Sequence, residues 1–195
     1  MTAVILSALM LVTPVVTESG KFTIRQNGRN IGTEEFSIRA QGKGFIAEGR
    51  TRIDGDPDTL VSKMELDEKL IPTSYEYSHG KGTIRIKIES QSSELTIGGK
   101  GESSTTNFRF PDGATIVDNN FFHHYLILLY RMNGSEASFP IFVPQDMQAG
   151  LATIRSTGTR MYSLEVGAVK LEATVDEAGR LLRLAVPSAN VVVER

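Results

Sequence analysis

The sequence predicts a mainly β fold: a strongly curved antiparallel sheet or incomplete barrel, with one apolar helix over about residues 118–132 packed on its concave side. Three observations lead there. Apolar and polar residues alternate over short runs along most of the chain. Turn signals separate those runs, and the two-residue period gives way once to a helical one.

The strands follow in order. Phe22 and Ile24 alternate with polar neighbours up to Asn27-Gly28, a pair suited to a tight hairpin. Ile31, Phe36 and Ile38 continue beyond it. Phe45, Ala47, Gly49, Thr51 and Ile53 share one face of a third strand, which ends at the turn cluster Asp54-Gly55-Asp56-Pro57-Asp58. Ser62, Met64 and Leu66 then point one way, and Lys63, Glu65 and Asp67 the other. Tyr75 and Tyr77, Ile84, Ile86 and Ile88, and Leu95 and Ile97 repeat the alternation, and Phe108 and Phe110 close this half at Pro111-Asp112-Gly113. One wet and one buried face per strand is a property of antiparallel rather than parallel sheet.

Phe121, Phe122, Tyr125, Leu128, Leu129 and Met132 fall on one helical face, with Asp118 as the candidate N-cap and Asn133-Gly134 as the stop. Ile127 and Tyr130 widen the apolar surface, so this helix is predicted to be buried on more than one side. Strands resume with Phe139, Ile141 and Val143 and run to Val191 and Val193. No repeat or linker interrupts them, and residues 20–195 are read as a single domain.

A length of 195 residues fits one domain, and 40% hydrophobic and 23% charged residues are ordinary globular usage. A formal charge of −2 argues against nucleic acid as a partner. The absence of cysteine excludes disulfides, thiol catalysis and cysteine-based metal sites. The run Ala3–Val16 is apolar apart from Ser7, Thr13 and Pro14. It is shorter than the ~20 residues of a membrane span and suits the core of a secretory signal. Residues 1–19 are therefore read as a signal peptide, and the mature chain as periplasmic or otherwise exported, with no integral membrane span. No Lys or Arg precedes the run and Val15-Val16-Thr17 is a poor cleavage site, so a buried first strand stays open as the alternative.

No catalytic residue, metal site or cofactor is predicted. His123 and His124 are vicinal, so on a helix their rings diverge by ~100° and do not converge on one metal. They are expected to face solvent or cap strand ends. Glu34 and Glu35 point to opposite faces of a strand and form no acid–base dyad. The Asp54–Asp58 turn lacks the spacing and terminal Glu of a calcium-binding EF-hand loop. Gly98-Gly99-Lys100-Gly101 lies between strands, not before a helix, and reads as a hairpin turn. The remaining signal is apolar. Tyr75, Tyr77, Phe108, Phe110, Phe122, Tyr125 and Leu129 are predicted to line a site between sheet and helix for a lipid-like or acyl ligand. Two alternatives stand beside it: a filled core in a module that binds another envelope protein, and a hydrolase with an unrecognised site.

Three stretches carry a family resemblance. They are Asn27-Gly28-Arg29-Asn30-Ile31-Gly32-Thr33, the Leu- and Tyr-rich helical segment, and Val175-Asp176-Glu177-Ala178-Gly179-Arg180-Leu181-Leu182-Arg183-Leu184 with Val191-Val192-Val193-Glu194 after it. Together they resemble bacterial exported domains of the DUF3108/DUF6134 kind. That resemblance implies the architecture of the periplasmic lipoprotein carriers (LolA/LolB-like), a curved sheet closed by helix, and it transfers no catalytic residue. One helix is present here where those carriers have several.

Overall fold

The computed structural model describes residues 17–118 and 120–195. Eight strands form an N-terminal meander: β1 (Glu18–Gln26), β2 (Arg29–Gln41), β3 (Gly44–Ile53), β4 (Leu60–Leu66), β5 (Pro72–His79), β6 (Gly82–Lys87), β7 (Ser93–Gly99) and β8 (Glu102–Phe108). A short β9 (Thr115–Ile116) and the helix α1 (His123–Arg131) follow. The second meander comprises β10 (Glu136–Val143), β11 (Gln148–Gly158), β12 (Met161–Val166), β13 (Val169–Val175), β14 (Leu181–Val186) and β15 (Val191–Glu194). Most of the signal segment read over residues 1–19 lies outside the described residues, while Glu18 and Ser19 already pair with Ile38 and Ser37 in β1.

All 15 strands of the described residues belong to one open sheet in the order β8-β7-β6-β5-β4-β3-β2-β1-β15-β14-β13-β12-β11-β10-β9. The pairings are antiparallel except β9 with β10, and β1 with β15 joins the two meanders. Open sheets of more than ~10 strands rarely stay flat, and this one curls. β8 and β9 are the two ends of the strand order, yet only residues 109–114 join them, so the curl brings the two edges of the sheet near each other, and α1 lies in the connection from β9 to its neighbour β10. The expected curved antiparallel sheet with one buried helix is the fold observed.

Local chemistry accounts for the turns. Asn27 and Gly28 take φ of 51° and 78°, the pair of left-handed conformations that a two-residue hairpin requires. The alternation read from sequence sets the core: Phe22, Ile24, Phe36, Ile38, Met64 and Tyr75 are buried, as are Ile154, Leu164, Leu171 and Leu184 from the second meander. Phe22 stacks on Phe36 at 4.7 Å between centroids. His123–Leu128 of α1 are all buried among these side chains.

The helix is shorter than residues 118–132. Asp118 does not cap it: its Oδ1 accepts the Asn120 N–H at 2.9 Å and its carbonyl accepts the Phe121 N–H at 3.1 Å, closing a separate turn. Tyr75 also donates to Asp118 Oδ2 at 2.5 Å, tying that carboxyl group to β5. The helix therefore starts at His123. At its other end Arg131 donates to the Gly113 carbonyl at 3.0 Å and lies 4.7 Å from the Phe139 ring centroid.

Phe142 stacks on Phe108 and meets Phe110 at a tilt, each at 5.3 Å between centroids, and so ties the end of the first meander to β10. Phe142→Ala is expected to cost about 3–5 kcal/mol, read as a lower urea midpoint with an unchanged slope.

Candidate functional site

Two neighbouring features surround the start of α1: a buried polar cluster towards the first meander and an apolar pocket towards the second. The cluster centres on Glu34 of β2, which is fully buried although its neighbour Glu35 is exposed. Glu34 Oε2 accepts the Phe122 N–H at 2.7 Å and Oε1 the His123 N–H at 3.3 Å. His123 Nδ1 lies 2.5 Å from the same Oε1. Helix-initial N–H groups have no partner within the helix, and a carboxyl group placed there also meets the positive end of the helix dipole. Here that group comes from a strand 88 residues away in sequence.

Both histidines are fully buried, which corrects the expectation that they face solvent. His123 stacks on Phe36 at 6.0 Å and meets His124 edge-on at 4.5 Å. Gly49 lets it in: a Cβ there would lie 2.7 Å from His123 Nδ1 and closer still to Cε1. His124 Nδ1 accepts the Asp118 N–H at 3.1 Å, so its proton sits on Nε2. Burial, reinforced by His123, holds the His124 pKa well below the usual histidine value and keeps this ring neutral. His123 Nε2, His124 Nε2 and Ser62 Oγ are buried without a hydrogen-bond partner among the described residues. Glu34 and His123 match the orienting half of a hydrolytic triad in residue type, yet full burial of both leaves no room for a substrate.

On the other side of α1, Phe122 and Tyr125 form one wall of a pocket of about 490 Å³. Ile141, Val143, Val166, Leu171, Val186 and Val191 supply most of the rest. They reach it from β10, β12, β13, β14 and β15, each with the side chain that alternation aims at the buried face. Val169 stands in the lining with 41% exposure, and Asp146 and Gln148 are polar members of the lining. Volume and lining are those of a small-molecule site, which spans ~300–1,000 Å³.

The seven side chains expected to share one site are distributed over several places. Phe122 and Tyr125 line the pocket. Tyr75 is fully buried with its hydroxyl on Asp118, and Tyr77 packs edge-on against Phe121 at 6.2 Å. Phe108 and Phe110 pack on Phe142, and Leu129 packs, partly buried, against the core. Sequence reasoning missed the valines and isoleucine of the second meander. Their alternation announces a buried face but not which stretch of that face lacks a cover among the described residues.

Two other features are polar. A groove of about 590 Å³ on the opposite face is bordered by Glu48, Arg50, Lys63, Glu76 and Arg85. It lies over the alternately charged wet side of β3–β6, where Glu48, Lys63, Glu76 and Arg85 are successive cross-strand neighbours. Asp56, Asp58 and His79 bring one ligand atom each within 4.8 Å of one another. Within that group His79 Nε2 and Asp56 Oδ2 are already 2.8 Å apart, and the Asp58 N–H holds the Asp56 pKa down.

The molecule is thus a curved antiparallel sheet with an internal helix and an apolar pocket beside it. No family model and no curated protein matches the chain. Among solved structures it is similar to a crystal structure of a DUF1089 family protein from Pseudomonas aeruginosa, with a TM-score of 0.48 and 12% identity, covering 80% of this chain and 90% of that one.

Two predictions follow from the buried cluster. Glu34→Ala strips the acceptor from two helix-initial N–H groups and a buried imidazole, each costing about 1–3 kcal/mol when unsatisfied. The expected loss is at least about 3 kcal/mol in urea unfolding, and an unchanged midpoint would refute the cap. His124 binds a proton more readily unfolded than folded, so its contribution to stability is complete above the unfolded pKa of ~6.5 and is lost as pH falls below it. Melting temperature should therefore fall between pH 7 and pH 5 by more in the parent than in His124→Asn, and equal falls would count against the neutral ring.

Proposed function

We propose that this chain is a non-catalytic exported protein that holds a lipid-like or other apolar ligand in the pocket between α1 and the second meander. The observation that carries the reading is the lining: a cavity of about 490 Å³ walled by two aromatic and several aliphatic side chains, with Val169 still exposed among them. Each Å² of ligand surface withdrawn from water there contributes about 25 cal/mol. The apolar run Ala3–Val16 supports export, and the likeness of the turn and strand motifs to domains of the DUF3108/DUF6134 kind supports a carrier of the periplasmic lipoprotein-carrier type. Such a protein works by burial alone. It takes up an apolar molecule from one place, shields it across water, and yields it to a surface or partner that buries it better.

Val169→Trp tests the reading, because an indole at this half-open position fills the cavity without entering the packed core. The parent is expected to take up pyrene, seen as a change in its emission, and to release bound lipid in native mass spectrometry when purified from its own envelope. Val169→Trp should lose at least about tenfold in pyrene affinity while its melting temperature stays within a few degrees of the parent. No uptake by the parent, or equal uptake by the variant, would overturn the assignment.

A further inference from the structure

We infer that the ligand of this pocket is an uncharged amphiphile with a carbonyl or hydroxyl oxygen, such as a long-chain ester, amide or alcohol, and not a fatty-acid anion. The inference rests on the apolar-ligand reading above and narrows its chemistry.

Two independent features of the lining carry it. The first is Tyr125. It is 7% exposed and lines the pocket, and its hydroxyl takes part in no side-chain hydrogen bond among the described residues. The other deeply placed tyrosine hydroxyls near α1 are engaged, Tyr75 with Asp118 and Tyr130 with Glu18. Burial, and then the nearby Asp118, push the Tyr125 pKa up to about 12, so the phenol keeps its proton at neutral pH. That hydroxyl is not among the fully buried polar atoms left without a partner, so it is open to solvent and can give its hydrogen to an acceptor on a ligand in place of water. An ester or amide carbonyl, or an alcohol oxygen, satisfies it.

The second feature is charge. Among the described residues, Asp146 is the one charged side chain in the lining, and neither Lys, Arg nor His stands there. A carboxylate head entering this pocket would meet an apolar wall and a like charge, with no cation to offset its desolvation. Gln148, at the same rim, can accept and donate at once and suits a neutral polar head.

The test is competition against bound pyrene, which has no polar atom and reports on the cavity alone. Laurate and methyl laurate are compared below their aggregation limits at neutral pH, using the whole purified chain. Methyl laurate is expected to displace pyrene at a concentration at least about fivefold lower than laurate, the scale of one like-charge contact in water. Tyr125→Phe should weaken methyl laurate by about two- to tenfold, the range of one hydrogen bond, and weaken pyrene by less. Asp146→Lys, at an exposed position, should narrow or reverse the preference. Equal or tighter binding of laurate, or indifference of methyl laurate to Tyr125→Phe, overturns the inference while pyrene binding keeps the pocket. Failure of pyrene itself to bind removes the pocket reading, and this inference with it.

Discussion

Everything around the pocket depends on one carboxyl group reaching one helix end. Glu34 leaves β2 on the buried face and accepts two backbone N–H groups and sits against an imidazole nitrogen at the first turn of α1. A helix of nine residues is too short to be stable by itself. It holds no capping side chain of its own at Phe122 and no acidic residue in its first turn. The sheet supplies both through Glu34. That fixes where the helix starts and which of its faces looks towards the second meander, and so places Phe122 and Tyr125.

Topology makes this tether necessary. The chain builds its sheet outward from β1 to β8, then starts again towards the far edge and returns to β15 beside β1. The stretch from β9 to β10 that carries α1 has little strand pairing of its own, so its orientation must come from side chains. Asp118 anchors the approach through Tyr75 and Gln145, Glu34 anchors the helix start, and Arg131 anchors its end through Thr115 and Gly113. Gly49 completes the arrangement by omission, since any side chain there would collide with the His123 ring.

The sheet was legible because its signal is local. Alternation at Ser62, Met64 and Leu66, or at the Asn27-Gly28 hairpin, needs no knowledge of distant residues, and the structure repeats it strand by strand. The helix was legible as a change of period, but its start was not. The local candidate cap, Asp118, is engaged by β5, and the effective cap lies in β2. The histidines were misjudged for the same reason. Nothing near His123 or His124 in sequence announces a glycine and a glutamate on β3 and β2 that make room for them and hold them. The ligand-site aromatics named from the sequence were grouped by nearness to the strand-to-helix transition. Folding sent Tyr75 and Phe110 into the core and left Phe122 and Tyr125 at the pocket.

Why the pocket lies on one side of α1 and not the other is a matter of lengths. A nine-residue helix is about 13 Å long, whereas six neighbouring strands span roughly 24 Å at ~4.8 Å each. One such helix cannot cover the buried faces of both meanders. Its first turn is drawn towards β2, β3 and β5 by Glu34, Gly49 and the Asp118–Tyr75 bond, and aromatic rings fill the space on that side. Towards β12–β15 the facing side chains are mostly valine and leucine, which are too short to bridge to the helix. The gap between them is therefore a consequence of the same polar tether that secures the helix. A stronger hold on the first meander leaves more of the second uncovered, and that uncovered apolar surface is what a ligand would fill.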